Sequence, residues 1–225
     1  MQHESNLMNA YLEAYQIACE KLLKCNTELV CQNSKAGFDK ETSTYTLKYF
    51  EKECRIKINE CIKASVSFVD DVNEFTTTEK VLILHYLINS EPKPLSGRNI
   101  SFQEVPGGGS IYYSTFKKRA IDPLVKTFSN NISSFLDATS ALDGTLEKFG
   151  NASSTIYAFP FVPITYVLWQ GDEEVSSSGT ILFDTSVTHF LPVEDIILAA
   201  SFGVYKLIGT ASQIVRADTQ KGQKT

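Results

Sequence analysis

A chain of 225 residues, 43% hydrophobic and 21% charged, has the make-up of a soluble globular protein and not of a disordered, collagenous or coiled-coil chain. A net charge of −5 speaks against electrostatic binding of nucleic acid, which calls for a basic surface. The charge is uneven: residues 1–63 carry nine basic and nine acidic side chains, whereas residues 160–209 carry one Lys against six carboxylates.

The opening Met1-Gln2-His3-Glu4 has neither the basic nor the apolar region of a secretion signal. Along residues 6–24, Leu7, Tyr11, Ala14, Tyr15, Ala18, Leu22 and Leu23 recur every three or four positions, as on one face of an amphipathic helix. Ala36-Gly37-Phe38-Asp39 reads as a turn, and residues 44–50 and 54–58 alternate with period two around Glu51-Lys52, which predicts a hairpin. Thr76 and Glu79 have capping-box spacing ahead of the apolar run 81–88, so a second helix is expected there, ended by Pro92 and Pro94.

Leu95-Ser96-Gly97-Arg98 reads as a turn and residues 100–105 as a strand. Pro106-Gly107-Gly108-Gly109 then opens onto a third helix through Tyr112, Phe116, Ala120, Leu124 and Phe128, which Pro123 interrupts or kinks. A helix is expected over 135–146 and strands over 155–159, 163–169 and 180–183, the last two pairing antiparallel across the polar loop 170–179. Residues 151–170, nearly uncharged, are broken by Pro160 and Pro163 and rich in β-formers, so they read as strands and not as a membrane span. A last helix, starting at Pro192 with Glu194 and Asp195 at its positive end, is apolar nearly all round to Ile208 and is expected to be buried. Strands and helices do not alternate strictly. The expectation is therefore one α+β domain over residues 1–208, mainly antiparallel sheet with packed helices, and a polar, frayed tail over 209–225.

The densest polar cluster is Trp169-Gln170-Gly171-Asp172-Glu173-Glu174, with Asp184 and His189 beyond it. If 163–169 and 180–183 form a hairpin, Asp172, Glu173 and Glu174 stand at its tip and Asp184 and His189 on the returning side. Carboxylates with an imidazole suit a hard metal or general acid–base work, which makes Asp172, Glu173, Asp184 and His189 the candidate metal ligands. The same residues also read as a solvated acidic loop whose Asp172 caps the turn after Gly171.

Cys19, Cys25, Cys31, Cys54 and Cys61 contain no pair at zinc-ribbon spacing and read as small buried hydrophobes; without a signal they are expected reduced, in the cytoplasm. His85, inside an apolar run, reads as a hydrogen-bonded packing residue, and no Gly-x-Ser-x-Gly elbow supports nucleophilic hydrolysis. Gly107-Gly108-Gly109 ahead of Lys117-Lys118-Arg119 suggests exposed amides for an anion, but the Gly-Lys-Ser/Thr ending of a phosphate loop is missing, and a strand-to-helix crossing explains the glycines equally well. Tyr112, Tyr113 and Phe116 beside that basic trio read as a core face and not as a base-stacking platform.

Taken together, Leu84-His85-Tyr86-Leu87, Leu95-Ser96-Gly97-Arg98 with Ile100-Ser101-Phe102, Pro106-Gly107-Gly108, Phe116-Lys117-Lys118-Arg119, and Leu168-Trp169-Gln170-Gly171-Asp172-Glu173-Glu174 with Leu182-Phe183-Asp184, Leu191 and Glu194-Asp195 form a pattern. It resembles the domain of unknown function numbered 3786, over residues 5–208. The resemblance implies an origin among anaerobic bacteria and archaea. Relatives fused to a cysteine-rich iron–sulfur domain like that of corrinoid iron–sulfur proteins imply a link to corrinoid or one-carbon metabolism, although this chain lacks those cysteines. It also has Val175 where the pattern leads one to expect an aromatic.

The function expected is a cytoplasmic binding or accessory domain, free of nucleic acid and membrane. Its loops, with Arg98, Gly107, Gly108, Trp169, Asp172, Glu173 and Asp184, would hold a protein partner or bulky cofactor, Arg98 orienting an anionic group. The alternative is a divalent-metal-dependent enzyme using the acidic cluster from Asp172 to His189. A third reading is a structural subunit whose apolar last helix docks on another copy. These residues specify neither a cofactor nor an oligomeric state.

Overall fold

Runs of period two become strands and runs of period 3.6 become helices in the computed structural model of the chain, giving the expected α+β class with antiparallel sheets and a C-terminal helix. The structure describes residues 2–59, 65–69 and 75–222; Cys61 and the side chain of Leu7 lie outside the described residues. Two compact units interleave along the chain: Met1–Pro94 with Phe159–Phe161 and His189–Leu191, and Leu95–Ala158 with Val162–Thr188 and Pro192–Thr225.

In the first unit, α1 (Gln2–Leu22) turns Ala18 and Leu22 inward, the apolar face read from the sequence. A short helix, α2 (Thr27–Ser34), follows without having been foreseen; Asn26 caps it by accepting the Leu29 N–H at 3.1 Å. Residues 37–39 are an edge strand, not the expected turn: β1 (Gly37–Asp39) pairs with β2 (Thr44–Tyr49), Gly37 opposite Thr46. The turn comes next and is closed by the Asp39 carboxylate, which accepts from Glu41 N (2.9 Å) and Thr42 Oγ1 (2.8 Å). The predicted hairpin forms between β2 and β3 (Lys52–Asn59), and β4 (Ser65–Phe68) completes the sheet order β1-β2-β3-β4. The helix α3 (Thr77–Asn89) begins at the expected capping box, Glu79 N donating to Thr76 Oγ1 and Thr76 N to Glu79 Oε2. Tyr45, Leu47, Tyr49 and Ile56 are buried on the strands, and Leu82, Ile83 and Tyr86 on α3. Phe159 stacks on Tyr86 at 4.2 Å between ring centroids, a payload of buried aromatic area that dominates such a core.

The second unit opens with β5 (Asn99–Ser101), shorter than expected because Ser101 and Glu104 form a capping box that turns residues 102–104 into a 3-10 turn. The expected third helix is three pieces run together: α4 (Gly109–Phe116), a π turn (Lys117–Ile121) and α5 (Asp122–Phe128). Pro123 accounts for the break, since a proline inside a helix crowds the carbonyl four residues back and has no N–H to give it. The predicted helix over 135–146 is α6 (Ile132–Ala141), and residues 145–146 are instead an edge strand, β6 (Thr145–Leu146), paired with β7 (Ala152–Phe159). The strands β8 (Val162–Trp169) and β9 (Ser178–Asp184) pair antiparallel as expected, from Ile164 opposite Phe183 to Trp169 opposite Ser178. The sheet order is β5-β9-β8-β7-β6.

The last helix, α7 (Val193–Gly222), continues past Ile208 through most of the expected tail. By length and composition alone Val193–Ala217 is apolar enough to cross a membrane, but 56% of its most apolar window is buried inside the protein, with Ile196, Ala200, Val204 and Leu207 fully covered, as befits a core helix.

The entry into α4 depends on the absence of a side chain at residue 109. A Cβ there would stand 2.0 Å from the Phe102 carbonyl oxygen, whereas at Gly209, on α7, it would meet nothing within 4 Å. Gly109→Ala is therefore expected to lower stability by about 1–3 kcal/mol through overpacking, and Gly209→Ala to raise it by about 0.5–1 kcal/mol through helix propensity. Urea denaturation of the two variants checks both signs.

Candidate functional site

Of the acidic residues singled out in the sequence, Asp184 is the one drawn inside. It is 3% exposed at the end of β9, and five hydrogen bonds converge on its carboxylate: from Ser96 N (3.0 Å), Ser96 Oγ (2.9 Å), Gly97 N (2.7 Å), Ser186 N (2.9 Å) and Ser186 Oγ (2.6 Å). Burial alone would raise its pKa, but the bonds from Ser186 and Ser96 outweigh burial and hold it at about 2. Thr185 N donates to the Arg98 carbonyl, so the turn before β5 is stapled to the turn after β9. A carboxylate used in this way is a structural tie.

Asp172 is spent similarly at the hairpin tip. Its Oδ1 accepts from Glu174 N (2.9 Å) and Val175 N (2.8 Å), and these backbone donors lower its pKa. This is the capped-turn reading of the loop. Glu173 is exposed beside it. Asp184 ends β9 and Asp172 lies beyond its other end, a strand about 20 Å long at ~3.4 Å per residue. His189 falls in the first unit, its Nδ1 2.7 Å from Glu91 Oε2. Within the second unit the structure thus keeps Asp172 and Glu173 apart from Asp184, and among the described residues no group of three or more His, Cys, Asp or Glu side chains is placed to hold a metal ion.

Arg98 is exposed and lies near enough to Glu104 to help keep that carboxylate ionised, after the larger contribution of the Ser101 N–H and hydroxyl. Gly107 and Gly108, both at positive φ, shape the turn into α4, and the Gly108 carbonyl accepts from Tyr112 N, so these glycines serve the crossing. Trp169 is 40% exposed opposite Ser178, at the base of the hairpin loop. The loops expected to form one binding rim are therefore spread along both ends of β9. Four thiols, Cys19, Cys25, Cys31 and Cys54, are free; burial pushes that of Cys54 up to about 12, which makes it unreactive.

A pocket of about 310 Å³ lies where the π turn meets the start of β9, lined by Tyr113, Lys117, Ile121, Asp122, Val125, Lys126, Ser177, Ser178 and Gly179. Its placement follows from close packing at residue 179. A Cβ on Gly179 would meet Val125 Cγ2 at 2.8 Å, so the bare backbone is what lets α5 rest against the strand. The lining residues carry two ammonium groups, a carboxylate, two serine hydroxyls and a phenol, beside the apolar side chains of Ile121 and Val125. Lys117 Nζ is ion-paired with the Asp122 carboxylate, both side chains about half exposed. Ser177 Oγ accepts the Gly171 N–H at 3.0 Å, which leaves its own O–H to donate. A second recess, of about 330 Å³, lies between Asp39, Thr44, Thr46, Arg55 and Lys57, but its carboxylate is taken up in closing the Asp39 turn.

The model of one protein family, described as a domain of unknown function (DUF3786), matches residues 26–206. The chain belongs to the DUF3786 family. No curated protein and no solved structure matches it. The DUF3786 match takes in every residue of the pocket, of the Asp184 tie and of the hairpin loop. Sequence reasoning missed Lys126, Ser177 and Ser178, and treated Lys117 only as part of a basic run. The available signal was Asp122-Pro123 inside a helical pattern, a proline that interrupts the hydrogen-bond ladder of the turn before it.

The Asp184 tie has a pH signature. Because its folded pKa lies below the ordinary carboxylate value of 3.8, its stabilisation is whole at neutral pH and is lost as the pH falls from about 4 through about 2. The shift corresponds to about 2 kcal/mol. Asp184→Asn should be less stable at pH 7 by at least that amount and should lose less on acidification. Guanidinium denaturation between pH 2 and 7 measures both.

Proposed function

We propose that this DUF3786 protein is a binding or accessory domain without chemistry of its own, acting in the cytoplasm of an anaerobe, and that its ligand enters the pocket between the π turn and the base of the β8–β9 hairpin. The observation that carries this reading is that Lys117, Lys126, Tyr113, Ser177 and Ser178 line one recess together with the apolar Ile121 and Val125. Asp184 and Asp172, spent on backbone donors, and Asp122, paired with Lys117, favour binding over proton transfer. A reduced compartment fits the free thiols. The link to corrinoid or one-carbon metabolism is part of the proposal, and the pocket limits it. About 310 Å³ lies at the small end of ligand pockets, so a corrinoid would insert one peripheral group and leave its ring outside.

Amide chemical-shift mapping of the ¹⁵N-labelled protein, with small carboxylates and with hydroxocobalamin as probes, tests the location. Shifts should centre on residues 113–126 and 177–179, and Lys126→Ala should weaken binding about tenfold, the value of one charge-assisted hydrogen bond. Shifts centred on residues 95–98 or 107–109, or turnover of a probe by the purified protein, would overturn the proposal.

A further inference from the structure

The lysine and aspartate of this pocket are five residues apart, which is the wrong spacing for an α-helix. At 3.6 residues per turn, side chains five apart point to different faces, and ion pairs form at three or four. Lys117 and Asp122 meet because the turn between them is π: the Asp122 N–H bonds to the Lys117 carbonyl, which places one residue over the other. The pair is therefore a product of the same backbone irregularity that opens the pocket, and both its members line the pocket wall.

The geometry points to a small carboxylate as the ligand of this pocket, held by Lys117 in the position that the carboxylate of Asp122 takes in the structure. This rests on the pocket being the binding site. The ammonium of Lys117 already receives a carboxylate there. Both side chains are about half exposed, and an exposed pair of this kind contributes little, so exchanging one carboxylate for another is inexpensive. The Ser177 hydroxyl and Lys126 supply further donors, and Ile121 and Val125 offer an apolar surface to a short hydrocarbon tail. Asp122 then acts as an internal competitor that sets the affinity.

Sodium hexanoate and its neutral isostere hexanamide, titrated against the full chain by amide shifts at residues 113–126 and 177–179, test this. Hexanoate should bind and hexanamide should bind at least tenfold more weakly. Asp122→Asn should bind hexanoate about two- to fivefold more tightly, as removal of an exposed competing pair allows, and Lys117→Met should lose about two- to fivefold, since the ligand takes the same half-exposed position. Asp122→Ala, with its thermal midpoint recorded alongside, serves if the asparagine variant misfolds. Equal or weaker hexanoate binding by the Asp122 variants, or equal binding of hexanamide by the wild type, would overturn the internal-competitor inference and leave the pocket reading standing. No shift at the pocket with either probe in any variant would overturn the inference, and the pocket would then rest on the other probes of the mapping experiment.

Discussion

Pro123 has no amide hydrogen, and much of the second unit's shape beside the sheet follows from that one missing donor. A regular helix through residues 109–128 would crowd the proline ring against the carbonyl four positions back. The chain instead widens into a π turn just before it, at Lys117–Ile121, and carries on as α5. That extra residue sets the face that α5 presents, so Val125 comes down on the bare backbone of Gly179. Two features that neither sequence stretch holds alone then appear at one place: a recess beside the strand, and a lysine and an aspartate paired at a spacing that a regular helix forbids.

The Asp184 carboxylate plays the complementary part at the far end of β9. Ser96, Gly97 and Ser186 come from two turns far apart in sequence, and each offers a backbone N–H to the same carboxylate. One ionised side chain accepts all three and two hydroxyls besides. Neutralising it would leave those donors competing for weaker acceptors, which is why its pKa sits so low although burial works against ionisation. The edge strand β5 owes its register, Asn99 opposite Asp184, to a turn held in this way.

What the sequence made legible was local. The Thr76–Glu79 capping box, the β2–β3 hairpin and the β8–β9 pair depend on residues within a few positions of one another, and each forms as read. Misreadings arose where a local rule met a tertiary partner. Gly37-Phe38-Asp39 looks like a turn until β2 is there to pair with it, and Thr145-Leu146 continues a helical pattern until β7 captures it as an edge. The site was harder still. Asp172, Asp184 and His189 have the composition of a ligand set, but composition does not show how each group is engaged: the two carboxylates accept from backbone amides, and the imidazole donates to Glu91. Conversely Lys117 and Ser177 are sixty positions apart, and only the sheet and the π turn together make them neighbours.

An overall charge of −5 might be thought to repel an anionic ligand, so the distribution of the carboxylates matters more than their sum. Of the six between residues 160 and 209, Asp184 and Asp195 are buried and Asp184 is wrapped in donors, which leaves it little field at the surface. Charges in water are screened over about 8–10 Å at physiological salt, so the potential in the recess is set by Lys117, Lys126 and Asp122 in its wall together with the exposed Asp172, Glu173 and Glu174 of the loop that the Gly171–Ser177 bond ties to it. With Asp122 paired to Lys117, the remaining formal charge of the wall is that of Lys126. A negatively charged molecule reaching the recess therefore depends on direct contact with the two ammonium groups in the wall, one of them shared with the Asp122 carboxylate whose position the π turn dictates.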